Sequence, residues 1–141
     1  MNAVIYARVS STGDRQSTER QVVDLTEYAG KNNMTIVRIC EEHISGARKN
    51  RERLVLNECL TYAVNHGVDI ILISELSRLG RNVDEVLANI RFCKDRHLNI
   101  YFQKEGISIF DAYGKENPYL TIMIAVLATA ASLERDAIYF R

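Results

Sequence analysis

The chain has 141 residues, 47% of them apolar and 26% charged, and its formal net charge is zero. That length gives one buried core and not two, and the composition is that of a globular domain rather than a polybasic or disordered chain. Any contact with nucleic acid must therefore come from a local cluster of positive charge, or from another domain. Cys40, Cys59 and Cys93 are far apart without CxxC spacing and read as reduced small hydrophobes, which points to a cytoplasmic protein. His43, His66 and His97 are equally scattered, so no metal site is expected. The N-terminus lacks the basic-then-apolar layout of a secretory signal.

In chain order, Val4 to Val9 reads as a central strand and "SSTGD" as the loop that follows it. A helix is predicted from about Ser17 to Asn32, with Val22, Val23, Leu25 and Tyr28 on its apolar face and Gly30 near its end. Met34 to Cys40 reads as a second strand, and "EEHISGARKNRER" as a polar loop. Leu54, Leu56, Cys59, Leu60 and Ala63 recur at helical spacing, so a helix is predicted over Arg51 to His66, ended by Gly67. "DIILIS" (Asp69 to Ser74) is a continuous apolar run, as in a strand buried on both faces. After "ELSRLGRN" come a helix over about Val83 to Arg96, a fourth strand at "LNIYFQ" and a fifth at Ile107 to Phe110.

From Asn117 to Leu133 there is no charge. The run is short for a membrane span and contains Thr121, Thr129 and Ser132, so a long helix covered by its own domain and by a partner chain is expected. Pro118 suits its first turn. The sequence stops inside helical residues at "IYFR" without a cap, as expected for one part of a longer protein. Altogether an α/β fold is predicted, three-layered, with a mostly parallel four- to five-stranded sheet flanked by helices and a long C-terminal oligomerisation helix.

Ligands of such sheets sit at the carboxyl ends of the strands. Side chains alternate along a strand, so Arg8 and Ser10 share a side while Val9 and Ser11 take the other. A guanidinium beside a hydroxyl is a poor base but a good holder of an anionic phosphate. Two further carboxyl-edge loops supply cations: Arg48, Lys49, Arg51 and Arg53 in "SGARKNRERL", and Arg78 and Arg81 in "SRLGRN", which a helical turn would place on one face. Each stretch alone reads as a solvated basic loop. Their convergence on one sheet edge in a neutral chain points to a phosphate site around a serine. Neither GxxxxGK[ST] nor GxGxxG is present, which disfavours the common nucleotide-binding modes.

"YARVSS", "SGARKNRERL", "LSRLGRN" and "LERDAI", in this order and spacing, resemble the catalytic domain of the serine site-specific DNA recombinases, the resolvase/invertase family, over essentially the whole chain. The resemblance implies that Ser10 attacks a DNA phosphodiester, leaving a 5′-phosphoserine link and a free 3′-hydroxyl, without metal, ATP or other cofactor. It places Arg8, Arg51, Arg78 and Arg81 as phosphate-binding arginines, Gln21 as a polar active-site residue, and Arg135 as an arginine of the long helix that reaches the site, with Glu134 at an interface. It makes residues 1–141 a single catalytic domain, with the helix from about 117 to 141 as dimerisation element. The implied partners are DNA, bound specifically through a C-terminal domain outside these residues, and further copies of the chain: a dimer, and a tetramer in the active synapse. No membrane is implied. Many members carry an aspartate just before the "RLGR" arginine; here the residue is Ser77, which cannot supply a negative charge. Neither Glu75 nor Asp69 is expected to replace it.

Two other readings compete. A catalytically silent assembly module would keep the fold and the helix, but the retained serine and loop arginines count against it. A flavodoxin-like nucleotide-binding domain fits the alternating elements, but the missing Gly-rich loop counts against it.

Overall fold

The computed structural model describes residues 1–10, 18–44, 54–80 and 82–139, with backbone alone at 10, 44, 131 and 134–139. Strand β1 (Asn2–Ser10) is an interior strand of the sheet. Its residues alternate between two apolar layers: Ala3 and Ile5 join Leu25 and Ala29 of helix α1 (Thr18–Lys31). Val4 and Tyr6 join the larger core, to which helix α2 (Leu54–Asn65) supplies Leu56, Cys59, Leu60 and Ala63 and helix α3 (Val83–Asp95) supplies Val86, Ile90 and Cys93. A strand sandwiched this way must be apolar on both faces, which is why Ala3 to Ala7 are all fully buried.

Strands β2 (Thr35–Ile44), β3 (Ile70–Ile73), β4 (Asn99–Phe102) and β5 (Ile107–Ser108) complete a sheet of order β2-β1-β3-β4-β5. All neighbouring pairs are parallel except β4–β5. The chain therefore steps from β1 outward to β2, then back across β1 to β3. This reversal opens a crevice at the carboxyl ends of β1 and β3, where open α/β sheets bind ligands. The fold class read from the sequence is the one observed.

Three boundaries differ from expectation. β2 runs through Ile44 instead of ending at Cys40, because the polar "EEHI" run pairs with the end of β1, from Ala7 opposite Glu41 to Ser10 opposite Ile44. β5 closes after Ser108, and Phe110 instead makes an isolated bridge to Glu116. After β3 the backbone makes a short 3-10 helix (Leu76–Leu79) that ends in extended Gly80, so helical phase does not carry from Arg78 past Leu79. Leu76 and Leu79 are buried and fix this helix to the core.

Gly80 itself is dictated by space. A Cβ there would lie 2.6 Å from the backbone nitrogen of Val86 and 2.8 Å from the Cβ of Glu85, against the first turns of α3. Gly80→Ala is expected to destabilise the domain by about 1–3 kcal/mol, the usual cost of overpacking a tight contact. Urea unfolding would read this as a lower midpoint with unchanged slope; an unchanged midpoint would contradict it.

Helix α4 (Pro118–Tyr139) starts where the Asn117 side chain accepts from the Tyr119 N–H at 3.0 Å, with Pro118 in the first turn. Leu120 is buried and Met123, Ile124 and Leu127 lean on the larger core. The domain itself covers only this strip, and Tyr119, Ile122, Val126 and Leu133 are more than half exposed, at 71, 62, 61 and 63%. Among the described residues no helix is long and apolar enough to cross a membrane. Cys40, Cys59 and Cys93 are free and buried, and burial pushes the Cys93 thiol up to about 12.

Candidate active site

β3 pairs with β1 only as far as Tyr6 opposite Ile73. Beyond that point, among the described residues, no strand lies beside β1 on its β3 side, and a buried peptide group needs a partner. Gln21 supplies one. Its side-chain carbonyl accepts from the Arg8 N–H at 3.1 Å and its amide donates to the Arg8 carbonyl at 2.9 Å, so a side chain of α1 takes the place of a strand. The same carbonyl accepts from the Ser74 hydroxyl at 3.4 Å. Gln21 is 2% exposed, which makes this a fixed fitting of the crevice floor. The Arg8 side chain then crosses the gap, with Nη2 donating to the Ser77 carbonyl at 2.8 Å.

Arg78 lies one residue further on the 3-10 helix, its Nε 3.2 Å from Oε1 of Glu75. The other oxygen of Glu75 is 3.2 Å from Lys104 Nζ. Lys104 is itself tied to the end of β3, its N–H donating to the Ser74 carbonyl at 2.8 Å. The Leu76 N–H donates to Glu105 at 3.0 Å, so the start of the 3-10 helix is pinned as well. Burial pushes the Glu75 carboxyl up, but hydrogen bonds from Lys104 and Ser77 and the charges of Arg78 and Lys104 outweigh it and hold it below its ordinary value of 4.5. A depressed carboxylate contributes in full above its ordinary value and is lost only as pH falls through the lowered one, so this pair is intact at neutral pH. Among the described residues, Glu75 stands between Arg78 and Lys104; most of the cations behind the expected concentration of positive charge lie outside them.

Of the site residues read from the sequence, Arg8, Gln21 and Arg78 come together here. Ser10 is the last residue of β1, opposite Ile44, and the pairing with β2 is unbroken from Val4 to Ser10, so Ser10 keeps the backbone parity of Arg8. Arg135 lies on α4, where only its backbone is described. Arg51 and Arg81 lie outside the described residues, as do Arg48, Lys49 and Arg53. Among the described residues no group of His, Cys, Asp and Glu side chains is arranged to hold a metal ion.

Two acidic residues were missed. Glu75, judged unable to stand in for an aspartate at position 77, does reach Arg78. Glu42, read as loop, is 4% exposed on β2. The Tyr6 hydroxyl donates to one of its oxygens, and the Val55 N–H, in the first turn of α2, donates to the other at 3.1 Å. One carboxylate thus ties β1, β2 and α2 together behind the site. A buried Tyr in "YARVSS" was the available signal, since such a hydroxyl usually finds a partner. Glu42→Ala would remove the carboxylate that accepts from the Tyr6 hydroxyl and the Val55 N–H and is expected to cost about 2–4 kcal/mol. Urea unfolding would measure it, and a loss below about 0.5 kcal/mol, the scale of a neutral surface change, would show that water replaces the carboxylate.

Comparison with known proteins follows the same lines. The family described as "Resolvase, N terminal domain" matches residues 3–141. The chain belongs to the resolvase family. This resolvase domain is 33% identical over 143 residues to the transposon Tn1546 resolvase of Enterococcus faecium, covering 100% of this chain and 66% of that one. It is 32% identical over 134 residues to a resolvase of Clostridium perfringens (strain 13 / Type A), covering 94% of this chain and 64% of that one. It therefore spans just under two thirds of these curated relatives. Among solved structures, a resolvase family site-specific recombinase from Streptococcus pneumoniae superposes with a TM-score of 0.71 at 26% identity, covering 99% of this chain and 91% of that one. The C-terminal catalytic domain of ISC1926 TnpA, an IS607-like serine recombinase, gives a TM-score of 0.62 at 29% identity, covering 73% of this chain and 70% of that one. The N-terminal catalytic domain of TP901-1 integrase, at 19% identity and a TM-score of 0.71 over 97% of this chain and 98% of that one, bears on the fold alone.

Proposed function

We propose that residues 1–141 are the catalytic domain of a serine recombinase that cuts and rejoins DNA through a phosphoserine intermediate. The Ser10 hydroxyl oxygen forms a bond to a DNA phosphorus, the bond from that phosphorus to the 3′-oxygen breaks, and the serine proton leaves as the 3′-hydroxyl gains one. The bond energy is kept in the ester, so resealing by the reverse attack needs neither ATP nor a metal. Arg8 and Arg78, with Arg51 and Arg81, carry the charge that develops on the non-bridging oxygens, and Arg135 joins them from α4. Gln21 positions Arg8.

What supports this reading above all is one juxtaposition: Arg8, Gln21 and Arg78 meet at the crevice between the ends of β1 and β3, on the strand that ends in Ser10. The partner is DNA, with sequence-specific recognition assigned to a segment outside this domain; the curated relatives are longer than this chain. The exposed row of Tyr119, Ile122 and Val126 is assigned to a homodimer contact through α4, with a tetramer in the synapse. Three buried free thiols fit a reducing cytoplasm.

The test uses the full-length protein on a nicked crossover site that it binds, in EDTA and without nucleotide, followed by denaturing gels. A covalent adduct on the labelled 5′ end is expected, with a free 3′-hydroxyl. A bound site that gives no adduct would favour the silent assembly module, and an adduct that needs metal would contradict the mechanism.

A further inference from the structure

Arg78 is a phosphate-binding residue in the proposed function, yet the residue before it is Ser77, which cannot hold it by charge. A long guanidinium side chain left to itself samples several rotamers, and each unit of lost order costs transition-state stabilisation. The geometry points to Glu75 as the residue that positions Arg78 for phosphate, lending from two residues upstream the carboxylate that position 77 lacks. This inference rests on the recombinase reading and adds a residue to it.

Several observations carry it. Glu75 Oε1 lies 3.2 Å from Arg78 Nε, an ion-pair contact without hydrogen-bond alignment, and the Arg78 N–H donates to the Glu75 carbonyl at 3.1 Å, so one turn of backbone holds the two side chains together. Glu75 is not a swinging surface acid: its second oxygen is held 3.2 Å from Lys104. Lys104 is in turn anchored by its backbone to Ser74, and the peptide after Glu75 is anchored to Glu105 at 3.0 Å. The Glu75–Arg78 pair is largely shielded, with side-chain exposures of 13% for Arg78 and 22% for Glu75, while Lys104 approaches the carboxylate from solvent, 72% exposed. Two rows of the sheet end contribute: the β3 side gives Ser74, Glu75 and Arg78, and the loop after β4 gives Lys104 and Glu105. Arg8 enters the same cluster through the Ser77 carbonyl. A shift of Arg78 by removal of its clamp would therefore be felt at the arginine pair that faces the end of β1. Glu75 does not touch the substrate in this scheme; it acts through Arg78.

The test compares the full-length parent with Glu75→Gln and with the double variant Glu75→Gln/Ser77→Asp, using single-turnover cleavage of a nicked site, DNA-binding affinity and Tm. Glu75→Gln is expected to slow adduct formation by about 10- to 100-fold with binding within about threefold, and the double variant to recover most of that loss, because Asp at 77 returns a charge beside Arg78. Cleavage by Glu75→Gln at the parent rate would overturn the inference while leaving the recombinase reading intact. So would a slow Glu75→Gln that stays slow in the double variant, or one whose Tm falls enough to account for the loss. A parent whose adduct survives Ser10→Ala, or that forms none, would overturn the recombinase reading and this inference with it.

Discussion

Arg8→Ala is expected to lower the rate of adduct formation by about 100- to 1000-fold, the loss typical when one preorganised donor is removed from a developing oxyanion. The reason lies in how little freedom Arg8 has. Its backbone N–H and carbonyl are both held by Gln21, and Nη2 donates to the Ser77 carbonyl at 2.8 Å. In the proposed mechanism, a guanidinium held this way would meet the charge on the non-bridging oxygens without reorganising during the reaction. The same charge makes only one of many backbone contacts to DNA, so affinity should change by no more than about tenfold. Arg8→Lys should restore little, because an ammonium cannot reproduce the planar fork. Single-turnover cleavage and a binding isotherm on the same nicked site separate the two effects. A variant that cleaves within about threefold of the parent would place the critical charge elsewhere.

Ser10→Ala is expected to abolish the adduct altogether. Without an oxygen nucleophile at that position no phosphoserine ester can form, and the remaining arginines can only bind the phosphate. Ser11→Ala is expected to keep the adduct. The reason is the position of Ser10 on β1: the pairing with β2 runs unbroken from Val4 to Ser10, so Ser10 continues the parity of Arg8, whereas Ser11 lies outside the described residues. DNA binding by the full-length Ser10→Ala protein should match the parent, which distinguishes lost chemistry from lost folding.

The strands were legible where burial leaves no choice of residue. "IILI" in β3 is buried at every position, and β1 shows the same demand from Ala3 to Ala7. α4 was legible from its uncharged length, Asn117 and Pro118. The end of β2 was not, because "EEHI" is polar and its strand conformation comes from pairing with β1 and from the Tyr6–Glu42 contact, neither visible in a local window. The short 3-10 helix was hidden for a related reason: the spacing of Arg78 and Arg81 fits a helical turn, and only the crowding of Gly80 against α3 shows why the turn must stop. Arg8, Gln21 and Arg78 were legible from motif order. Glu75 is not legible, because its separation from position 77 along the chain hides its closeness to Arg78 in space. Glu75 is the extended residue just before the 3-10 helix, and the turn closed by the Arg78 N–H donating to the Glu75 carbonyl at 3.1 Å is what brings Glu75 to Arg78.

The most direct measurement is the identity of the residue bonded to DNA. The adduct trapped by the full-length protein on a nicked site would be digested with protease and nuclease, and the nucleotide-bearing peptide sequenced by mass spectrometry. The expected result is a single modified serine, Ser10, linked to a 5′-phosphate. Modification at Ser11, at any other side chain, or through a 3′-phosphate would contradict Ser10 as the nucleophile of this site.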